Sequence, residues 1–134
     1  MLKKVMIMVK IGFISTNKVL AQSLLAAIDA RSELGFELFV LLNPSQAILD
    51  IEVLKINTAV IDILDGTIIE TETALSFCKK LRKANPDCRL LLLLSQDDKI
   101  GKKMVINAIR NCIADDFVFY DTSLEYLFAK LSAF

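Results

Sequence analysis

An aspartate stands near the end of an otherwise apolar run, Ala59-Val60-Ile61-Asp62-Ile63-Leu64. A carboxylate there is costly to bury unless it reaches water, a backbone N–H or a hydroxyl. Asp62 is therefore the first candidate for chemistry. Other polar residues follow other apolar runs: Ser15, Thr16 and Asn17 after the first, Ser95 after Leu90–Leu94, and Tyr120 and Asp121 after Phe117–Phe119. Together they offer carboxylates, hydroxyls and a phenol, but no imidazole, because the chain has no histidine. That absence removes the commonest neutral-pH general base and zinc ligand, and any phosphotransfer through histidine. The three cysteines, Cys78, Cys88 and Cys112, form no C-x-x-C pair. They are expected to be buried free thiols in a reducing compartment, and no metal site is expected.

The elements that must position these groups follow from periodicity. Val9 to Ser15 reads as a strand, and Ser15-Thr16-Asn17 can cap a helix with Val19/Leu20, Leu24 and Ala27/Ile28 on one face. Leu34-Gly35 breaks the chain before a second strand, Glu37 to Leu42. Asn43-Pro44 starts a helix running to about Leu54, since proline suits a first helical turn. Thr58 to Leu64 is a third strand. After a turn at Asp65-Gly66, a helix carries Ala74, Phe77, Cys78 and Leu81 inward and ends at Asn85-Pro86-Asp87.

Arg89 to Leu94, almost pure leucine, suits a central strand buried on both faces. Ser95 to Asp98 opens a helix with Val105, Ala108, Ile109 and Cys112 inward, and Phe117 to Tyr120 is the fifth strand. Thr122-x-x-Glu125 has the spacing of a capping box for a last helix, with Leu124, Leu127, Phe128 and Leu131 on its core face. Strands alternating with helices give a three-layer, doubly wound α/β domain. Right-handed crossovers favour a five-stranded parallel sheet in the flavodoxin-like order 2-1-3-4-5. In such a sheet the reactive groups lie beyond the carboxyl ends of the strands, where Asp62 and the other candidates fall.

The 134 residues suit a single domain, 1–134, and 54% are hydrophobic, enough for a sheet covered on both faces. Sixteen basic and sixteen acidic residues cancel, leaving no electrostatic footprint for nucleic acid or an anionic membrane from this domain. The apolar stretch from Val5 to Ile14 is interrupted by Lys10 and is too short to span a bilayer. No small-residue cleavage site follows it, so a cytoplasmic location is expected.

The ordered pattern resembles the receiver domain of response regulators, the CheY-like modules of two-component signal transduction. Thr58-Ala59-Val60-Ile61-Asp62-Ile63-Leu64 is similar to the receiver strand that ends in the phospho-accepting aspartate, which would be Asp62. Leu90 to Ser95 resembles the strand whose terminal hydroxyl senses the phosphoryl group, which would be Ser95. Ala114-Asp115-Asp116-Phe117-Val118-Phe119 is similar to the lead into the last receiver strand, with Phe117 as the aromatic switch, and Thr122 to Leu127 resembles the start of the last helix. The departures are equally specific. Where receivers carry an acidic pair that holds Mg²⁺, this chain has Ser15 and Thr16; where they carry a lysine and then a proline, it has Tyr120 and Asp121. The loop after Asp62 reads about four residues longer than in receivers. Asp65, Asp97 and Asp98 are the remaining nearby acids, and spacing reads them as solvated loop or helix-start charges.

The resemblance with these losses implies an atypical receiver, or pseudo-receiver. It would be a non-enzymatic signalling and interaction module with no cofactor, and with Mg²⁺ binding weak or absent. A protein partner, or a second copy in a homodimer, would dock on the face formed by the fourth helix, fifth strand and fifth helix, with Lys102, Lys103, Asn107, Tyr120, Tyr126 and Lys130. An output domain would follow if the chain is the N-terminal part of a larger regulator. Two alternatives stand beside this reading. One is a receiver still phosphorylated on Asp62; the other is a flavodoxin-like small-molecule binder using Ser15-Thr16-Asn17. With the phosphoryl group never installed, Phe117 is expected to pack inward and Ser95 to bond locally.

Overall fold

Five parallel strands form the central layer of the computed structural model, which describes residues 8–64, 67–69 and 72–134. The elements are β1 (Val9–Ile14), α1 (Lys18–Asp29), β2 (Phe36–Leu41), α2 (Pro44–Leu54), β3 (Thr58–Asp62), β4 (Thr67–Ile69), β5 (Glu72–Thr73), α3 (Ala74–Ala84), β6 (Arg89–Leu94), α4 (Lys99–Arg110), β7 (Asp116–Phe119) and α5 (Leu124–Ser132). The main sheet runs β2-β1-β3-β6-β7, all parallel, which is the expected 2-1-3-4-5 order. The remaining pair, β4 and β5, forms a small antiparallel hairpin between β3 and α3. It occupies the extra length after Asp62, where only a loop was expected. Asp65 and Gly66 lie outside the described residues.

The sheet divides the core in two. Leu90, Leu92 and Leu94 of β6 join Ala47 and Ile51 of α2, Phe77 and Leu81 of α3, and Val105 of α4 on one face. Leu91 and Leu93 join Leu24 and Ile28 of α1 and Leu127, Phe128 and Leu131 of α5 on the other. The all-apolar strand is explained by this arrangement, since side chains alternate between faces and both are covered.

Polar side chains stop most of the helices at their amino ends. Asn17 Oδ1 accepts from Leu20 N at 3.0 Å before α1, Thr73 Oγ1 from Ser76 N at 3.1 Å before α3, and Asp98 Oδ1 from Gly101 N at 2.7 Å before α4. A Cβ at Gly101 would fall 2.4 Å from Asp98 Oδ2, so the cap and the glycine require each other. At α5 the expected box is corrected by one residue. Ser123 is the cap, accepting from Tyr126 N at 3.2 Å, and Glu125 pairs with Arg31 instead of folding back. Leu124 is then the first helical residue and is 46% exposed, not core. Val19 is likewise exposed, because α1 turns Leu24 and Ile28 inward in its place. Cys112 also departs from expectation. α4 ends at Arg110, Cys112 turns left-handed at φ 58°, and its thiol is exposed while Cys78 and Cys88 are buried.

The amino ends of the strands are tied by Arg82 of α3. Its guanidinium donates to Asp115 Oδ2 at 2.7 Å and to the carbonyls of Cys88, Pro86 and Ile113 at 2.7, 3.1 and 3.2 Å. Asp115 Oδ2 also accepts from Leu90 N at 2.8 Å. Burial works against ionisation of Asp115, but the Leu90 N–H and the Arg82 guanidinium outweigh it and hold the carboxyl below its ordinary value. A depressed acid stabilises the fold at neutral pH and loses that contribution as pH falls through its folded pKa. Asp115→Ala is therefore expected to cost about 2–3 kcal/mol in urea unfolding at pH 7, because it strands a partly buried guanidinium and an amide. The gap to the parent protein should narrow in acid below the usual aspartate range. A gap that stays constant with pH would show that the charge contributes nothing.

Candidate functional site

Strand register alone brings the two most suggestive residues together. Ile14 pairs with Ile61 across β1 and β3, so the next residue on each strand, Ser15 and Asp62, lie side by side at the carboxyl edge of the sheet. The Ser15 hydroxyl donates to Asp62 Oδ2 at 2.6 Å and accepts from the Asn17 N–H at 2.9 Å. Since Asn17 also caps α1, a continuous chain of bonds links the amino end of α1 to the carboxyl end of β3. Ser15 is 3% exposed and Asp62 half-buried.

The second carboxylate oxygen, Oδ1, is buried and has no hydrogen-bond partner among the described residues. Burial pushes the Asp62 carboxyl above its ordinary value, and the Ser15 hydroxyl only partly opposes that. No lysine, arginine or second acid among the described residues acts on it. Among the described residues, no group of three His, Cys, Asp or Glu side chains is placed to hold a metal ion.

The remaining candidates are spread around this pair. Thr16 is exposed and does not reach Asp62 through any bond. Asp98 is engaged as the α4 cap, Asp97 is exposed, and Asp65 lies outside the described residues. Ser95 follows β6 directly, and its hydroxyl accepts from Asp97 N at 3.2 Å, a local bond as expected. Tyr120 follows β7, with its N–H donating to Leu94 O at 3.0 Å, and is 39% exposed. Asp121 is exposed as well.

Phe117 is partly buried, packs against the core shared by β6 and α4, and stacks edge-on to Phe119, with centroids 5.3 Å apart, along a groove of about 240 Å³ that Leu94, Lys102, Val105 and Ile106 complete. β7 is a sheet edge, and among the described residues no neighbouring strand covers its outer flank. On the α5 side of the same strand, Lys130 pairs with Asp116 and sits 5.7 Å from the Tyr126 ring centroid. Lys103 and Asn107 of α4 and Tyr126 of α5 are exposed.

Sequence spacing pointed to every strand-end residue and to a hydroxyl as one group that could satisfy Asp62, and the structure identifies it as that of Ser15. The signal was present in outline, as a serine and an aspartate each directly after an apolar run, yet only register makes them neighbours. The Asp62 contribution to stability has a definite sign. A raised folded pKa means that the native state holds its proton over a window above the ordinary aspartate value. Stability therefore falls as pH rises through that window and stays low above it. Asp62→Asn is expected to raise stability at pH 7 by about 1 kcal/mol, or about 3–5 °C in melting temperature. That advantage should shrink towards pH 4, and thermal melts at the two pH values provide the check.

No protein-family model matches the chain, and no curated protein matches it in sequence. Solved structures do match in fold. A two-component response regulator from Clostridium difficile is 23% identical, with a TM-score of 0.74 over 92% of this chain and 93% of that one. A CheY-like response regulator receiver domain protein from Methanospirillum hungatei JF-1 is 15% identical, with a TM-score of 0.75 over 94% and 92%. The signal receiver domain of an HD domain-containing protein from Pseudomonas fluorescens Pf-5 is 14% identical, with a TM-score of 0.77 over 98% and 90%. The chain thus has the flavodoxin-like fold found in CheY-like receiver domains.

Proposed function

We propose that this chain is a receiver-type signalling module that works by protein docking, with little or no phosphorylation of Asp62. The observation that carries the reading is the Ser15–Asp62 bond. Where a receiver's chemistry needs a second carboxylate to hold a cation, a neutral hydroxyl donates to the acceptor carboxyl at 2.6 Å. Mg²⁺ is usually held by one or two carboxylates together with waters and phosphate oxygens. Among the described residues one carboxylate is present here, burial favours its protonated form, and one oxygen is already bonded. The residues do not fit a divalent cation.

Phosphoryl transfer also needs positive charge on the transferred oxygens. Tyr120, at the position where receivers carry lysine, has none. Ser95 and Phe117 correspond to the switch residues, and the Ser95 hydroxyl accepts from Asp97 N. The face of α4, β7 and α5 then stays in one arrangement, available for a protein partner. Its apolar groove, with Lys102 among the lining residues, suits a modest interface. The reading is non-enzymatic and cytoplasmic. Among the described residues no helix is long and apolar enough to cross a membrane.

Calorimetric titration with Mg²⁺ is expected to show no saturation in the sub-millimolar range. Acetyl phosphate should leave the intact mass unchanged. A stoichiometric phosphate adduct that disappears in Asp62→Ala would establish instead a working acceptor that uses the free Oδ1. Restoring the acidic pair with Ser15→Asp and Thr16→Asp is expected to raise Mg²⁺ affinity at least about tenfold, which corresponds to about 1.4 kcal/mol.

A further inference from the structure

The two edges of the main sheet are protected very differently. β7 is four residues long, begins with Asp116 held by Lys130, and has the Lys102 ammonium over the Phe119 ring. β2 is six residues long, Phe36-Glu37-Leu38-Phe39-Val40-Leu41, pairs with β1 in unbroken register, and contains no lysine, proline, glycine or bulge. Natural sheet edges are normally blunted by shortness, lysine, proline, bulges or a covering element. β2 has none of the first four, and among the described residues no strand lies beyond it.

The direction of its backbone groups follows from the ladder. Val9 N–H donates to Gly35 O at 2.8 Å and Ser15 N–H donates to Leu41 O at 3.3 Å. Alternate residues of a parallel strand face the same neighbour, so Glu37, Phe39 and Leu41 face β1. Phe36, Leu38 and Val40 therefore present their N–H and C=O groups outward.

We infer that β2 pairs antiparallel with β2 of a second copy of this chain, joining the two five-stranded sheets into one. A two-fold axis at Leu38 sets each Leu38 against its own copy and Phe36 against Val40, and each such pair exchanges two N–H···O bonds. Glu37, the one charge on the edge, then faces Phe39 of the second copy and not the other Glu37, so no like charges meet. With sixteen charges of each sign, two copies also approach without net repulsion. A different partner would find no charged group on this edge to select it except Glu37. The inference goes beyond the docking reading, because it leaves the face of α4, β7 and α5 free at both ends of the joined sheet.

Sedimentation velocity of the full chain, from low micromolar to several hundred micromolar, is expected to show a discrete monomer–dimer equilibrium. Val40→Pro removes an outward N–H that no described residue of the chain uses, at an edge position where proline is tolerated. It should weaken the dimer at least about tenfold. Hydrogen exchange on the unmodified protein tests the same point without a substitution. The amides of Leu38 and Val40 should slow as concentration rises, while those of Phe39 and Leu41, already bonded to β1, should not change. A monomer at every concentration, undefined larger aggregates, or a dimer whose Leu38 and Val40 amides stay fast would overturn the inference. So would a dimer that Ile106→Glu dissolves and Val40→Pro does not.

Discussion

Covering both faces of β3 and β6 is the constraint from which the rest follows. Side chains from these strands enter two separate cores, one shared with α2, α3 and α4 and the other with α1 and α5. Each buried leucine contributes about 1.5–3 kcal/mol relative to exposure, so neither strand interior has room for a polar group without a partner. Polar function is driven to the rims. At the carboxyl rim sits Asp62, the last residue of β3. At the amino rim sits the Arg82–Asp115 cluster, which collects the carbonyls of Cys88, Pro86 and Ile113 and the Leu90 amide.

This division explains what could be read from the residues and what could not. The main strands, the helices between them and their spatial order are consequences of periodicity, turn residues and the hand of crossovers, all of which are local or general. Asn17, Asn43-Pro44 and Asp98 announce helix starts through chemistry within three residues of themselves. The Ser15–Asp62 bond joins residues 47 apart, and the Arg82–Asp115 bond joins residues 33 apart. Arg82 looks like any basic residue in a last helical turn. Only the packing of α3 against the start of β7 gives it four acceptors. Smaller misses were local competitions. Ser123 took the cap from Thr122, and Cys112 passed beyond the end of α4 into a left-handed turn that no inward stripe could include.

A hydroxyl beside a buried carboxyl differs from a carboxylate in the same place chiefly in charge. Two acids there would repel, and the repulsion would be relieved by a cation. A serine donor instead satisfies one oxygen without calling for an ion, and through Asn17 it fastens the β1–α1 turn to β3. The carboxyl edge of the sheet thus gains a hydroxyl–carboxyl tie between β1 and β3.

The five consecutive leucines of β6 have one more effect. Sliding the strand by one position past β3 would exchange the residues sent to each core, yet almost every exchange replaces leucine with leucine. Hydrophobic burial is nearly blind to such a slip, although it is the usual guardian of alignment. What distinguishes the native alignment is polar and lies at the ends: the Leu90 amide on Asp115 and the Leu93 carbonyl accepting from Ile63 N at 2.8 Å. The alignment of β6 thus rests on these polar end contacts more than on its leucines.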